Sequence, residues 1–428
     1  MAAGICVFAF LVVVFVSQSA RFSKAYLTGP IVFLVVGGVV GRTLVDAVAE
    51  GAAIQTLAEV ALVLVLFHDA AELQPRELRA DSAFTARLLL VGLPLTIGAG
   101  YLLARALFPE IGVWLALLLA AALAPTDAGL GAATVLNPIV PARVRRILNV
   151  ESGLNDGFAT PVVLFAVAAA AGSTHDSTGH GLLEAMQELA VGALVGVAIG
   201  YLAGRLVEEA RDRGWADIAL LPIATLAVPL LCYYGAHELG GNGFIAAFVA
   251  GTAYAAAQNS VEDLHETVGL TGLTSTFLGY AVWMVFGIVV TSQLEALFSW
   301  QNLLYALLSL TALRMVPVAL SLLGSGLRPQ TVAFVGWFGP RGLASIIFAL
   351  IAFESLQAET AVATVLSVIA TTVVLSVLAH GLTASPWSQR YGSWATRNRP
   401  TVESSEAVEP QRRHGSSPPA TSQSGSAT

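Results

Sequence analysis

Three acids stand in stretches of sequence that are otherwise apolar. Ala124-Pro125-Thr126-Asp127 interrupts one such stretch, and Glu151-Ser152-Gly153-Leu154-Asn155-Asp156-Gly157 interrupts the next. Arg314 and Arg341 bring the opposite charge into two further apolar stretches. At about 100° per residue, Glu151 and Asn155 lie roughly 40° apart around a helix, as do Ser152 and Asp156, so the four share one polar sector. That sector offers carboxylates, a hydroxyl and an amide oxygen, the hard ligands that suit a small hard cation. A buried carboxylate there holds a proton or a cation but not both. Competition for one site then couples the two ions, provided the site opens to one side at a time.

The alternative use of these charges is to tie helices together. On that reading Glu151 pairs with Arg314 or Arg341. Two arginines leave negative charge over among three acids, and the surplus on Asp156 and Asp127 calls for a proton or a metal cation. An ionisable group near the bilayer centre costs on the order of 3 kcal/mol on insertion scales, so each of these residues is expected to be paired, hydrated or functional.

The elements that position these groups follow from composition. Of 428 residues, 56% are hydrophobic and 11% charged, whereas a soluble domain carries roughly 25% charged residues. A bilayer core needs about 20 apolar residues per helix, and runs of that length recur to about residue 384. The expected fold is an all-α polytopic membrane protein of thirteen spans at 3–20, 27–45, 54–71, 85–107, 111–137, 147–172, 183–209, 216–236, 241–257, 270–292, 299–324, 330–353 and 358–383. No basic region precedes the first run, so it reads as a retained helix rather than a leader. Cys6 and Cys232 lie in apolar segments without ligand-like spacing and propose neither disulfide nor metal site.

Orientation is tested by sorting the basic residues. With the N-terminus outside, the inside receives Arg21, Lys24, Arg76, Arg79, Arg87, Arg143, Arg145, Arg146, Arg205, Arg211, Arg213, Arg328 and the arginines from Arg390 onward, and only Arg42 and Arg105 fall outside. The positive-inside rule therefore supports an odd count, with the C-terminus cytoplasmic. From 385 to 428 the composition turns to Ser, Pro, Thr, Arg and Gly, too polar to bury a core, and a disordered cytoplasmic tail is expected.

Pro125 removes a helix hydrogen bond from span five, and Gly336, Gly339, Pro340 and Gly342 break span twelve around Arg341. Irregular backbone at membrane depth is tolerated where it lines a cavity or is buried in protein. Interrupted helices at corresponding positions of two halves point to a transport site. Span five is fifth in a first set of six and span twelve is fifth in a set from eight to thirteen, which makes the two sets inverted repeats.

The run Leu148-Asn149-Val150-Glu151-Ser152-Gly153-Leu154-Asn155-Asp156-Gly157, with Ala124-Pro125-Thr126-Asp127 before it and Gly339-Pro340-Arg341-Gly342-Leu343-Ala344-Ser345 after it, resembles the signatures of NhaP/NHE-type sodium/proton antiporters of the cation:proton antiporter superfamily. The resemblance covers residues 1–384 and implies a thirteen-helix homodimer in the cytoplasmic membrane. Its core spans are 85–172 and 299–383, the remaining spans are dimer or scaffold, and broken spans five and twelve cross near the midplane. It implies Asp156 as the carboxylate binding ion and proton, Asp127 as a second acid acting directly or through water, and Thr126 and Ser152 as ligands of transported Na+, with Asn155 beside them. Glu151 would be salt-bridged, first to Arg314 and second to Arg341. The Asn155-Asp156 pair, where other branches have Asp-Asp, resembles the electroneutral branch, with one proton per cation. No cofactor is implied beyond the transported Na+ and H+, and the partners are lipid, the ions and a second copy, not nucleic acid.

Two positions depart from the pattern. Ala128-Gly129 follows Asp127 where many relatives carry proline, and His68 stands beside Asp69 where a small polar residue is common. His68 is a candidate for pH sensing, against an ordinary place at a helix end. Glu59 and Asn242 are weaker candidates, and the glycines around Asn242 read as helix packing. Competing functions are a K+/H+ antiporter of the same fold, an intramembrane aspartyl protease, a cation channel and a proton-coupled carrier of an organic solute. The protease lacks a Gly-x-Gly-Asp element, the channel favours rings of ligands around a symmetric pore, and the carrier lacks aromatic or bidentate arginine features.

Overall fold

The computed structural model describes residues 2–24, 27–44, 51–72, 81–127, 129–130, 134, 137–172, 180–292, 297–356 and 360–404, and all regular structure among them is helical. Among the described residues, eight helices are long and apolar enough to cross a bilayer. Five shorter apolar helices, Gly4–Ser17, Gly29–Gly41, Pro109–Ala122, Gly243–Ala257 and Leu343–Phe353, take the remaining places, and the expected order of thirteen spans is reproduced. Arg76, Arg79, Ala128 and the chain beyond Ser404 lie outside the described residues.

Span seven, His180–Asp212, presents Gly192, Gly196, Gly200 and Gly204 at successive turns to span nine, Gly243–Ala257. A Cβ on Gly200 would lie 2.5 Å from the Ala250 carbonyl oxygen, so only glycine lets these backbones touch. Lipid tails are as apolar as leucine, so such close van der Waals approach, not hydrophobic exclusion, holds membrane helices together. Span two, Gly29–Leu44, meets span ten, Val261–Ser292, in the same way, and the Phe33 ring stacks on Tyr280 at 4.5 Å. Span nine carries Gly251 against the Phe67 backbone of span three, Gly51–Ala71.

Spans four to six and eleven to thirteen are knitted to one another by polar contacts. The Tyr305 hydroxyl of span eleven donates to the Gly100 carbonyl of span four, Asn302 Nδ2 donates to Ser367 Oγ of span thirteen at 3.0 Å, and Ser388 Oγ donates to Thr134 at 3.2 Å.

Several boundaries differ from the sequence reading. Span six runs Ala142–Ala170 and starts a turn early, so Arg145 and Arg146 are buried rather than solvated in a loop. Arg146 Nε donates at 2.8 Å to Oδ2 of Asp81, at the start of span four, Arg145 Nε donates at 2.9 Å to the Val140 carbonyl, and the half-buried Arg143 places its Nε 2.9 Å from Asp81 Oδ1. Span four contains a π-helical turn, Leu88–Gly92, and span eleven divides at Thr311 into Trp300–Leu310 and Ala312–Ser321.

The expected change to an unstructured tail at 385 does not occur there. Span thirteen continues to Asn398, Tyr391 stacks on Phe334 at 4.1 Å, and Glu403 is buried. Its carboxylate accepts from the Arg328 N–H at 2.8 Å and from Thr331 Oγ1 at 2.7 Å. These are donors at the start of the half-helix Pro329–Trp337, where a negative charge meets the positive end of the helix dipole.

Candidate functional site

The two interrupted spans meet at their breaks. Span five is helical over Gly112–Ala122 and has left the helix by Thr126 and Asp127. Span twelve is helical over Pro329–Trp337, non-helical from Phe338 to Gly342, and helical again over Leu343–Leu356. Proline and glycine keep both segments from closing a helical turn, and the backbone groups set free bond across the crossing. The Asp127 N–H donates to the Pro340 carbonyl at 2.8 Å, and Ser345 Oγ donates at 2.7 Å to the Ala122 carbonyl.

Asp127 organises this crossing. Its Oδ2 accepts from the Leu343 N–H at 2.9 Å, at the head of the second half-helix of span twelve, and its Oδ1 accepts from the Gly129 N–H at 2.7 Å and the Leu130 N–H at 3.3 Å. A carboxylate there satisfies orphan donors and faces a positive helix end. Gly342 makes room for it, since a Cβ at that position would collide with the Asp127 carboxylate. Gly339 likewise admits Arg314, whose Nε would stand 2.7 Å from an added Cβ.

Span six places its polar sector against the non-helical part of span five. Ser152 Oγ donates to the Thr126 carbonyl at 2.6 Å, and Asn155 Nδ2 donates to Thr126 Oγ1 at 2.7 Å. Asp156 lies one turn beyond Ser152 on the same helical face and is 8% exposed. Asn155 Oδ1 is buried and accepts no hydrogen bond among the described residues. A buried amide oxygen is ordinarily bonded, so this one marks a place that suits a cation or water. Next to Asp156, Gly157 leaves the space occupied by the Phe248 ring of span nine, and that ring packs edge-on against Phe158.

Glu151 faces the other way. Arg314 holds it through Nη1–Oε1 at 2.6 Å and Nη2–Oε2 at 2.8 Å, both residues being 2% exposed. Of the two candidate arginines the structure therefore pairs Arg314. Arg341, fully buried, turns instead to backbone carbonyls, with Nη1 2.9 Å from Gly339 O and 3.5 Å from Pro125 O. Its charge sits against the carbonyl ends left by the two broken spans.

The crossing thus gathers Thr126, Asp127, Glu151, Ser152, Asn155, Asp156, Arg314 and Arg341. His68 belongs to another place: its Nε2 is 3.3 Å from Glu72, and its ring fills the notch at Gly272 of span ten. Glu59 accepts from Gln55 Nε2 at 2.7 Å and is hydrogen-bonded to Tyr233. Asn242 caps span nine by accepting from the Ile245 N–H at 3.1 Å. Cys6 and Cys232 are both free thiols. Sequence reading missed Asp81, Ser345, Ser376 and His380. Ser345 carried a signal, because it ends the motif that begins at Gly339. The others carried none, since a single serine, histidine or acid reveals its partner only in three dimensions.

The chain is similar in sequence and in fold to known proteins. A family model described as "Sodium/hydrogen exchanger, transmembrane" matches residues 7–390. A Na(+)/H(+) antiporter of Schizosaccharomyces pombe is 30% identical over 277 residues, 60% of this chain and 57% of that protein. A K(+)/H(+) antiporter NhaP of Alkalimonas amylolytica is 28% identical over 308 residues, 69% of this chain and 50% of its own length. The chain thus spans about half the length of these curated relatives. Among solved structures, the sodium proton antiporter MjNhaP1 from Methanocaldococcus jannaschii superposes with a TM-score of 0.75 at 17% identity, covering 91% of this chain and 99% of that one. With the broken crossing, the polar face of span six and a family model that matches residues 7–390, the chain belongs to the sodium/hydrogen exchanger family of transmembrane proteins.

Proposed function

We propose that this protein exchanges a monovalent cation for a proton by alternating access, and that Asp156 binds the two in turn. The observation that carries the reading is a buried carboxylate on the same helical face as Ser152, beside the unbonded Asn155 Oδ1, where both crossing spans lose their helical backbone. Asp156, Asn155 Oδ1, Ser152 Oγ and Thr126 supply hard oxygen ligands, which suit an alkali cation. Asp127 is held by backbone N–H groups and Glu151 by Arg314. These two acids keep the site in shape while Asp156 does the exchanging, so one proton moves per cation and the cycle is electroneutral.

Phe248 and Phe158 form an apolar cover next to Gly157. Movement of spans four to six and eleven to thirteen past span nine would open the site first to one side and then to the other. The protein works in the cytoplasmic membrane as a homodimer, with the end that carries Arg143, Arg146 and Arg328 facing the cytoplasm and the N-terminus outside.

The test is a proton-flux assay with the purified protein in sealed liposomes, offered Na+, Li+ and K+ in turn against a pH gradient. Na+-driven proton movement is expected, and the same assay ranks K+ and Li+ because all three use one ligand type. Asp156→Asn should abolish exchange while the protein still folds. No proton movement with any of the three cations, or an Asp156→Asn rate equal to that of the unaltered protein, would remove the proposal.

A further inference from the structure

The break in span twelve separates two backbone groups that an unbroken helix would join. In an α-helix the N–H of residue 341 donates to the carbonyl of residue 337, four positions earlier. Here Phe338 to Gly342 is not helical, the Trp337 carbonyl accepts from the Gly339 N–H at 2.8 Å, and the Arg341 N–H turns elsewhere. Span thirteen supplies a substitute. The Arg341 N–H donates to Ser376 Oγ at 2.7 Å, that oxygen lies 3.2 Å from His380 Nδ1, and His380 Nε2 lies 2.9 Å from the Trp337 carbonyl oxygen.

Ser376 and His380 stand one helical turn apart, and both are buried. One turn further on, Thr383 Oγ1 accepts from the indole Nε1 of Trp337 at 3.0 Å. One face of span thirteen therefore follows the break residue by residue.

Ser376 Oγ accepts the Arg341 N–H, and the His380 ring spans the rest of the gap, with Nδ1 3.2 Å from Ser376 Oγ and 2.9 Å from the Ser376 carbonyl oxygen, and Nε2 2.9 Å from the Trp337 carbonyl oxygen. A carbonyl oxygen only accepts, so a ring nitrogen that bonds one does so by donating. Bonds linked in this way polarise one another, and losing Ser376 takes from the buried Arg341 N–H its acceptor.

We propose that Ser376 and His380 are positioning residues of the exchange site, which relay the helical hydrogen bond that the break interrupts. They thereby hold the non-helical segment on which the site rests. Pro340 O bonds the Asp127 N–H, and the Leu343 N–H bonds the Asp127 carboxylate. Asp127 in turn follows directly on Thr126, to which Ser152 and Asn155 are bonded. The relay is thus mechanically continuous with the cation ligands while touching no ion itself. This inference rests on the exchange reading given above.

The test compares Ser376→Ala, His380→Ala, His380→Gln and the double alanine variant of the full-length protein in liposomes. The readouts are the cation concentration for half-maximal exchange and the maximal rate, with thermal unfolding in detergent measured in parallel. Either single alanine variant should raise the half-saturating concentration about tenfold, the worth of one buried hydrogen bond. The double variant should be no worse than the worse single one, because either change breaks the same chain. His380→Gln keeps an N–H for Trp337 and an acceptor for Ser376, and should recover most of the loss. Should His380→Ala fold too poorly to purify, Ser376→Ala and His380→Gln carry the comparison.

The relay is overturned if the half-saturating concentrations of the alanine variants equal that of the unaltered protein, if the two losses simply multiply, or if the glutamine variant is no better than alanine. Absence of exchange by the unaltered protein in the same vesicles would instead remove the functional reading. The two failures are told apart by that one control.

Discussion

Arg314 grips both carboxylate oxygens of Glu151 at 2.6 and 2.8 Å across 163 residues of sequence, joining the middle of span six to span eleven just beyond its break at Thr311. Two parallel N–H···O bonds fix orientation as well as distance. The pair works as a strut beside the proposed cation site, with the Arg314 guanidinium neutralising the Glu151 carboxylate.

Removing one partner of that strut leaves the other as an unpaired buried charge, which costs about 3–5 kcal/mol. Arg314→Ala is therefore expected to lower the unfolding temperature and the yield sharply. The double change Arg314→Met with Glu151→Gln should restore much of the stability, because no uncompensated charge remains. Thermal unfolding in detergent measures both, and a double variant as unstable as Arg314→Ala would contradict the strut.

Asp127 binds three backbone N–H groups through its carboxylate. Asp127→Ala should destabilise the protein by about 1–2 kcal/mol, the range for losing a helix cap. Asp127→Asn keeps an accepting oxygen and should retain measurable exchange at a reduced rate. If Asp127→Asn is as inactive as Asp156→Asn, Asp127 is itself an ion ligand.

Gly342→Ala places a methyl group where the Asp127 carboxylate sits. Overpacking a tight site costs about 1–3 kcal/mol, and here relief requires Asp127 to leave the head of the Leu343–Leu356 half-helix. Exchange is expected to fall well below that of the unaltered protein even where folded protein is recovered. A normal rate in this variant would show that the crossing tolerates a wider separation.

The chain end bonds the start of span twelve through Glu403 and the start of span six through Arg143, whose Nη1 donates to the Val402 carbonyl. Truncation after Ser404 should leave stability and exchange intact. Truncation after Arg399 removes these contacts and should lower the unfolding temperature, since hydrogen bonds to a charged group are worth about 1.5–3 kcal/mol each. Equal stability of the two truncated forms would detach this segment from the fold.

Much of the architecture can be read without coordinates, because a bilayer dictates how long an apolar run must be and makes each interruption costly. All thirteen spans, the breaks after Pro125 and around Pro340, and the polar face of Ser152, Asn155 and Asp156 follow from apolar length, Gly/Pro placement and the helical repeat. Where the signal is compositional it misleads: the polar stretch after 385 reads as tail, yet Tyr391 and Glu403 are buried against span twelve. The split at Thr311 carries no proline or glycine to announce it.

Tertiary structure alone decided the pairings. Arg314 and Arg341 look equivalent in sequence, but only Arg314 reaches Glu151, while Arg341 is left to the carbonyls of the two breaks. Asp127 turned out to bond backbone N–H groups, Asp81 to pair with Arg143 and the buried Arg146, and Ser376 and His380 to bridge a gap in a neighbouring span. Periodicity sees the face on which a side chain lies and the price of burying it. It does not see which distant group completes that side chain's bonds, because that depends on how helices far apart in sequence are brought together.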